Sequence, residues 1–199
     1  IPGGMAKDVD EAVRIANQVG YPVAIKIVSP QILHKSDMGG IRLNLGSEGA
    51  LREGIVSMAE TISQKAPEAE IQGYLVERMA PEGMEVIVGM RRDPTFGPLM
   101  MFGLGGVTVE LFKDVGFGVA PLSPEQARDM ISSTRAGRLL DGYRGGKVYD
   151  IDAVIDAIGR LSQLALDHEK ISEVEINPLL VLPDGQGAKV LDARMILQK

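Results

Sequence analysis

His34-Lys35-Ser36-Asp37-Met38-Gly39-Gly40, with Lys26 eight positions before the histidine, is the stretch on which the reading of this chain turns. It joins two runs of strand-like composition, Val23 to Val28 and Ile41 to Leu45. Backbone N–H groups at Gly39 and Gly40 can approach an anion, and Lys26 or Lys35 supplies positive charge. His34 is one of two histidines in the chain, and a neutral imidazole is a nucleophile able to carry a phosphoryl group. By spacing alone, the same stretch also reads as a solvated surface turn. Period-2 alternation puts Val23, Ile25 and Ile27 on one face of the first strand and Lys26 on the other, with Ala24 and Val28. A lysine in mid-strand is costly to desolvate unless its face opens on an anion or the side chain snorkels from an edge.

Composition narrows the classes of function. The length of 199 residues suffices for one large domain or two small lobes, each with a core. A net charge of −6 argues against a dedicated nucleic-acid binder, which needs a basic surface. Without cysteine there is no disulfide framework, thiolate metal site or cysteine nucleophile, which fits a reducing cytoplasm. No apolar run approaches the ~20 residues of a membrane span, and no signal peptide is visible. Ile1-Pro2-Gly3-Gly4 opens without an initiator methionine and reads as the extended entry to an excised domain or processed fragment.

Helix signals punctuate the chain. Asp8 with Glu11 reads as a capping box before an apolar face of Ala12, Val13, Ala16 and Val19, closed by Gly20. Ser47 is an N-cap for a helix to about Ala66 with Leu51, Ile55, Met58 and Ile62 on one face. Residues 74–79 and 84–91 read as strands, in which Glu77 and Glu85 look, from the residues alone, like solvent-facing carboxylates. Asp93-Pro94-Thr95-Phe96-Gly97-Pro98 reads as a turn-rich insert. Gly103-Leu104-Gly105-Gly106 lacks the last glycine of the dinucleotide fingerprint and is followed by the strand-like Val107-Thr108-Val109, so it reads as a tight turn with close backbone approach. Glu110 and Asp114 either line a cleft or are solvated. Ser123-Pro124-Glu125-Gln126 starts a helix, and 135–147 reads as a glycine- and arginine-rich connector whose Arg135, Arg138, Arg144 and Lys147 either meet an anionic partner or, more commonly for such a run, form a charged surface loop. Asp150 caps a further helix with Val154, Ile158, Leu161 and Ala165 in register, ending at His168, where the helix dipole favours a histidine.

The C-terminal region is the second informative one. Glu173-Val174-Glu175-Ile176-Asn177-Pro178 starts a strand to Leu182, turns through Pro183-Asp184-Gly185-Gln186-Gly187, and returns through Val190-Leu191-Asp192. Glu175 and Asn177 point to the same side, and Asp192 on the returning strand comes near them. Carboxylate and amide oxygens of this kind are hard ligands suited to Mg²⁺ that also binds nucleotide phosphates. The same residues, taken alone, equally describe a polar surface hairpin.

Together these motifs resemble the ATP-grasp domain of ADP-forming acetyl-CoA (acyl-CoA) synthetases, relatives of the succinyl-CoA synthetase β subunit. The resemblance is carried by Gly20-Tyr21-Pro22-Val23-Ala24-Ile25-Lys26-Ile27, by the segment from Ser29 through His34 to Gly40, by Phe102-Gly103-Leu104-Gly105-Gly106, by Glu175-Ile176-Asn177-Pro178-Leu179, and by Leu191-Asp192-Ala193-Arg194. It implies an α+β fold, with two lobes of mixed or antiparallel sheet and flanking helices (about 1–75 and 76–199) clamping a nucleotide. It implies that Lys26 holds the ATP or ADP phosphates, Gly39 and Gly40 cover them, the backbone of Glu77, Arg78 and Met79 reads adenine, and Glu85 binds the ribose. Asn177 and Asp192 would hold Mg²⁺, Glu175 would support the histidine or the metal site, and His34 would relay phosphate. The implied reaction is acyl-CoA + ADP + phosphate ⇌ acid + CoA + ATP, through phosphohistidine, in the cytoplasm. The helix that precedes the Ile-Pro segment in that fold, the CoA-binding domain and the main phosphohistidine segment have no counterpart here. The expected partners are therefore nucleotide and a CoA-binding, phosphohistidine-bearing subunit or domain, with no nucleic acid and no membrane. Two other readings are an ATP-grasp ligase that activates its acid directly, and a ligand-sensing synthetase-like module of a protein-lysine acetyltransferase. His34 speaks against the first, and Lys26, His34, Glu175, Asn177 and Asp192 together speak against the second.

Overall fold

A computed structural model describes residues 1–32, 35–106 and 114–198. His34, Glu110 and Val107-Thr108-Val109 lie outside the described residues. The chain divides into two compact units, Ile1–Ala80 and Pro81–Lys199, and the division leaves the whole strand that contains Glu77 in the first.

The first unit runs β1 (Gly3–Ala6), α1 (Val9–Val19), β2 (Val23–Val28), β3 (Ile41–Leu45), α2 (Glu48–Lys65) and β4 (Gly73–Arg78). Its sheet is antiparallel throughout, in the order β1-β4-β2-β3. Both helices start where their caps dictate. Asp8 accepts the Glu11 N–H at 2.8 Å, and Ser47 accepts the Ala50 N–H at 3.2 Å. Glu11 reaches back one residue further than a capping box requires, to the Lys7 N–H at 3.0 Å. Ala12, Val13, Ile15 and Ala16 of α1 and Leu51, Ile55, Met58 and Ile62 of α2 bury against Val23, Ile25, Ile27 and Val76. Each large aliphatic side chain buried in this way contributes about 1.5–3 kcal/mol.

The second unit runs β5 (Met84–Asp93), β6 (Gly97–Leu104), β7 (Val115–Val119), α3 (Pro124–Ser132), α4 (Arg135–Leu140), α5 (Ile151–Asp167), β8 (Ile171–Val181), β9 (Ala188–Val190) and β10 (Ala193–Leu197). The sheet order is β10-β8-β5-β6-β7, with β9 paired to the other end of the β8 edge that β10 occupies. Val86, Val88, Met90, Met100, Phe102 and Val174 form the sheet side of its core, and Ala127, Ile131, Val154, Ile158 and Leu161 form the helical side.

Two expectations change here, and one strand is added that the sequence did not mark. Asp93-Pro94-Thr95-Phe96-Gly97-Pro98 is the tight end of the β5–β6 hairpin, not an insert, with Asp93 opposite Gly97. The Asp93 carboxylate accepts the N–H groups of Phe96 (3.0 Å) and Thr95 (2.8 Å), and these bonds hold its pKa below the usual carboxylate range. The supposed connector at 135–147 contains α4, capped by the Thr134 hydroxyl on the Gly137 N–H at 3.0 Å. Six residues are too few to show a helical period. Val115-Gly116-Phe117-Gly118-Val119 forms an edge strand despite two residues disfavoured in strands. A Cβ at Gly116 would lie 2.5 Å from the Met130 carbonyl oxygen, so glycine is what lets α3 settle onto this strand.

The start of α3 forms the expected box: Ser123 accepts the Gln126 N–H at 3.2 Å, and Gln126 accepts the Ser123 N–H at 2.9 Å. Ser123→Ala is expected to lower the unfolding free energy by about 1 kcal/mol, read from urea denaturation, and an unchanged midpoint would show the cap to be idle. Among the described residues, no helix is long and apolar enough to cross a membrane.

Candidate functional site

In the first unit the chemistry collects on the sheet face opposite the helices. Lys26 stands opposite Leu75 and Glu77 opposite Ala24, so Lys26 and Glu77 are diagonal neighbours on one face. Lys26 Nζ lies 2.8 Å from Glu77 Oε2, with side chains 11% and 15% exposed. Glu77 is therefore not the solvent-facing carboxylate its residue type suggested. It neutralises a nearly buried cation that a strand interior would otherwise tolerate poorly. Past Glu77, the Arg78 N–H donates to the Pro2 carbonyl and the Met79 N–H to the Pro22 carbonyl, both at 2.9 Å. A base read by this stretch would meet its carbonyl oxygens rather than those two N–H groups.

The loop before β3 is fastened to both β2 and α2. The Ile27 N–H donates to the Gly40 carbonyl at 2.8 Å, Arg42 Nη1 to the Gly39 carbonyl at 2.7 Å, and Lys65 Nζ to the Asp37 carbonyl at 2.9 Å. The Gly39 and Gly40 N–H groups donate within the loop, to Ser36 (3.0 Å) and Lys35 (2.7 Å) carbonyls, rather than pointing to an anion. The glycines matter here for space. A Cβ on Gly40 would lie 2.5 Å from Ile27 Cγ2, and Gly39 has φ +74 with Thr61 Cγ2 2.9 Å from where its Cβ would stand.

In the second unit, alternation along β8 puts Glu173, Glu175 and Asn177 on one face. Asn177 Nδ2 donates to Glu175 Oε1 at 3.4 Å, and Asn177 Oδ1 accepts the Gly106 N–H at 2.9 Å. The returning chain breaks between β9 and β10 beside this point. The Leu191 N–H donates to the Pro178 carbonyl and the Asn177 N–H to the Asp192 carbonyl, both at 3.0 Å, so Asp192 stands across from Asn177 as expected. Glu85 is exposed at the start of β5, and its carbonyl accepts the Gly105 N–H at 3.0 Å. A Cβ on Gly106 (φ +65) would lie 2.7 Å from Glu85 Oε2. The Gly105-Gly106 turn thus gathers Glu85 and Asn177 onto one spot, a role that the sequence signalled only as close backbone approach. Asp114 belongs elsewhere, accepting the first N–H of α4, from Arg135, at 2.6 Å.

Asn177 and Asp192 carry an amide and a carboxylate oxygen, hard donors of the kind that could hold Mg²⁺ together with water and phosphate oxygens. Among the described residues, no group of three or more His, Asp or Glu side chains could hold an ion unaided.

Residues 1–197 match the family model described as an ATP-grasp domain. The chain belongs to the ATP-grasp family. Within that family it is similar to the β subunit of ADP-forming acetate–CoA ligase I from Pyrococcus furiosus, at 46% identity over 97% of this chain and 82% of that subunit. It is 46% identical to the ADP-forming acetate–CoA ligase I of Archaeoglobus fulgidus over 98% of this chain, but spans only 28% of that longer protein. Among solved ATP-grasp structures, it superposes on the dinucleotide forming acetyl-coenzyme A synthetase 1 of Ca. Korarchaeum cryptofilum with a TM-score of 0.92 and 47% identity, covering 98% of this chain and 85% of that one. That structure holds coenzyme A and Ca-AMPCP, and another of the same protein holds coenzyme A and Mg-AMPPCP.

Proposed function

We propose that this chain is the nucleotide-binding and phosphoryl-transfer part of an ADP-forming acid–CoA ligase, acting in the cytoplasm. The carrying observation is the set Glu175, Asn177 and Asp192, with Asn177 Oδ1 fixed by the Gly106 N–H. In this reading the first unit contributes Lys26 to the nucleotide phosphates, the Gly39-Gly40 segment as their cover, and the backbone of Glu77, Arg78 and Met79 to adenine. The second contributes Glu85 to the ribose and Asn177 and Asp192 to Mg²⁺, which would neutralise phosphate charge. The lobe limits proposed from the sequence, about 1–75 and 76–199, differ from this grouping at Glu77, Arg78 and Met79, which the division into compact units keeps with Lys26.

The chemistry proceeds in balanced steps. Phosphate displaces CoA from acyl-CoA, giving acyl phosphate. A histidine nitrogen takes the phosphoryl group as the acid leaves, and the N–P bond then breaks as an ADP oxygen accepts it, forming ATP. The first steps need a CoA-binding subunit or domain with its own phosphohistidine segment. Such a segment is described in the K. cryptofilum protein as pointing towards the nucleotide-binding site. His34 is the proposed relay on this chain.

Calorimetric titration of ATP with and without Mg²⁺ tests the reading. The chain is expected to bind ATP more tightly with Mg²⁺, and Asp192→Ala to weaken Mg·ATP binding about tenfold. Binding that is indifferent to Mg²⁺ in both proteins would refute the metal assignment.

A further inference from the structure

Arg194 of β10 stands directly opposite Glu175 of β8. Its Nη2 reaches Glu173 Oε1 at 2.6 Å and Glu175 Oε2 at 3.3 Å. The other oxygen of Glu175 accepts from Asn177 Nδ2, and Asn177 Oδ1 accepts the Gly106 N–H. We propose that Arg194 is a positioning residue for the Mg²⁺ ligand Asn177, acting through Glu175. The proposal rests on Asn177 as a metal ligand.

The argument concerns which way an amide faces. An asparagine at a Mg²⁺ site is useful only with its oxygen, not its NH₂, toward the ion. Two contacts fix that choice: a donor at Oδ1, supplied by Gly106, and an acceptor at Nδ2, supplied by Glu175. Glu175 serves as that acceptor only if its carboxylate is turned edge-on beside Asn177. Two carboxylates two residues apart on one strand face repel each other, and Arg194 lies against both. Its cation removes the repulsion and takes one oxygen of Glu175, leaving the other for the amide. All three side chains are substantially exposed: 41% for Arg194, 30% for Glu173 and 33% for Glu175. Exposed ion pairs add little to stability, so the role left to this pair is orientation. Groups that orient metal ligands commonly change metal affinity tenfold or more when removed.

The test adds Arg194→Met and Arg194→Lys to ATP titrations of the full chain at varied MgCl₂ and in EDTA, with Asn177→Ala alongside. Arg194→Met is expected to raise the Mg²⁺ concentration for half-maximal enhancement of ATP binding about tenfold. Its metal-free ATP affinity and thermal midpoint should stay at wild-type values, and Arg194→Lys, which keeps a cation in reach, should return the Mg²⁺ dependence to within about twofold. An unchanged Mg²⁺ dependence in Arg194→Met, while Asn177→Ala shifts it, overturns the positioning role alone. No shift in Asn177→Ala overturns the metal assignment and the proposal with it. Equal weakening of metal-free ATP binding by Arg194→Met would make Arg194 a nucleotide contact and refute the proposal.

Discussion

Lys26→Met is expected to weaken ATP binding ten- to a hundredfold and to lower the unfolding free energy by about 2–3 kcal/mol. A hydrogen bond to a charged phosphate contributes roughly 1.5–3 kcal/mol, which sets the first number. The second comes from what stays behind. Glu77, 15% exposed and 2.8 Å from Lys26 Nζ, would keep a carboxylate in a nearly dry position with its cation removed. Stranding one member of such a pair costs more than the pair itself contributes, the reported range being about 3–5 kcal/mol for fully buried pairs. Lys26→Met/Glu77→Leu separates the two effects. The double variant is expected to recover most of the lost stability, since two apolar chains suit the site, while ATP binding stays weak. Urea denaturation reads the first quantity and calorimetry the second. Wild-type ATP affinity in Lys26→Met would remove this residue from the phosphate site. A double variant as unstable as the single one would show that the ion pair is not what Lys26 supports.

What the sequence reveals of this molecule follows the range of the interactions. Caps at Asp8, Ser47, Ser123 and Asp150 are local, and each falls where its own neighbours placed it. The Glu175, Asn177 and Asp192 set was also legible, because a hairpin brings Asp192 back across from Asn177 within a short stretch of chain. The Lys26–Glu77 pair was not, because it depends on β4 inserting between β1 and β2, and nothing near Glu77 states that register. The bond between Gly106 and Asn177 spans 71 residues and is invisible to any local pattern. Glycine misled in both directions. At Gly116 and Gly118 it hid a strand, and at Gly39 and Gly40 it suggested anion-binding N–H groups that are bonded inside their own loop. In each case small size for close packing outweighs backbone donation, a distinction that only neighbours distant in sequence can make.

If the proposed function holds, His34→Asn is expected to abolish net ATP formation from acetyl-CoA, ADP and phosphate, by about a thousandfold or more, when the chain is assayed with a CoA-binding, phosphohistidine-bearing subunit supplied. The chain has two histidines. The other, His168, ends α5: its N–H donates to the Leu164 carbonyl at 3.1 Å, and its carbonyl accepts from the Ile171 N–H at 3.0 Å and Arg92 Nη2 at 3.2 Å. These are backbone duties that asparagine performs equally well, so His168→Asn should leave turnover unchanged. An imidazole at position 34 is thus the one group of its kind left to form the N–P bond that a relay on this chain requires. Asparagine keeps polarity at a similar size but is no phosphoryl acceptor, so ATP binding should stay within about twofold of wild type while transfer stops. Radiolabelled ATP supplies a second reading: acid-labile label should appear on the wild-type chain and not on His34→Asn. A variant that turns over at the wild-type rate would show that phosphate passes between the partner's histidine and ADP without a relay here. One that loses ATP affinity in proportion to rate would make His34 a nucleotide contact instead.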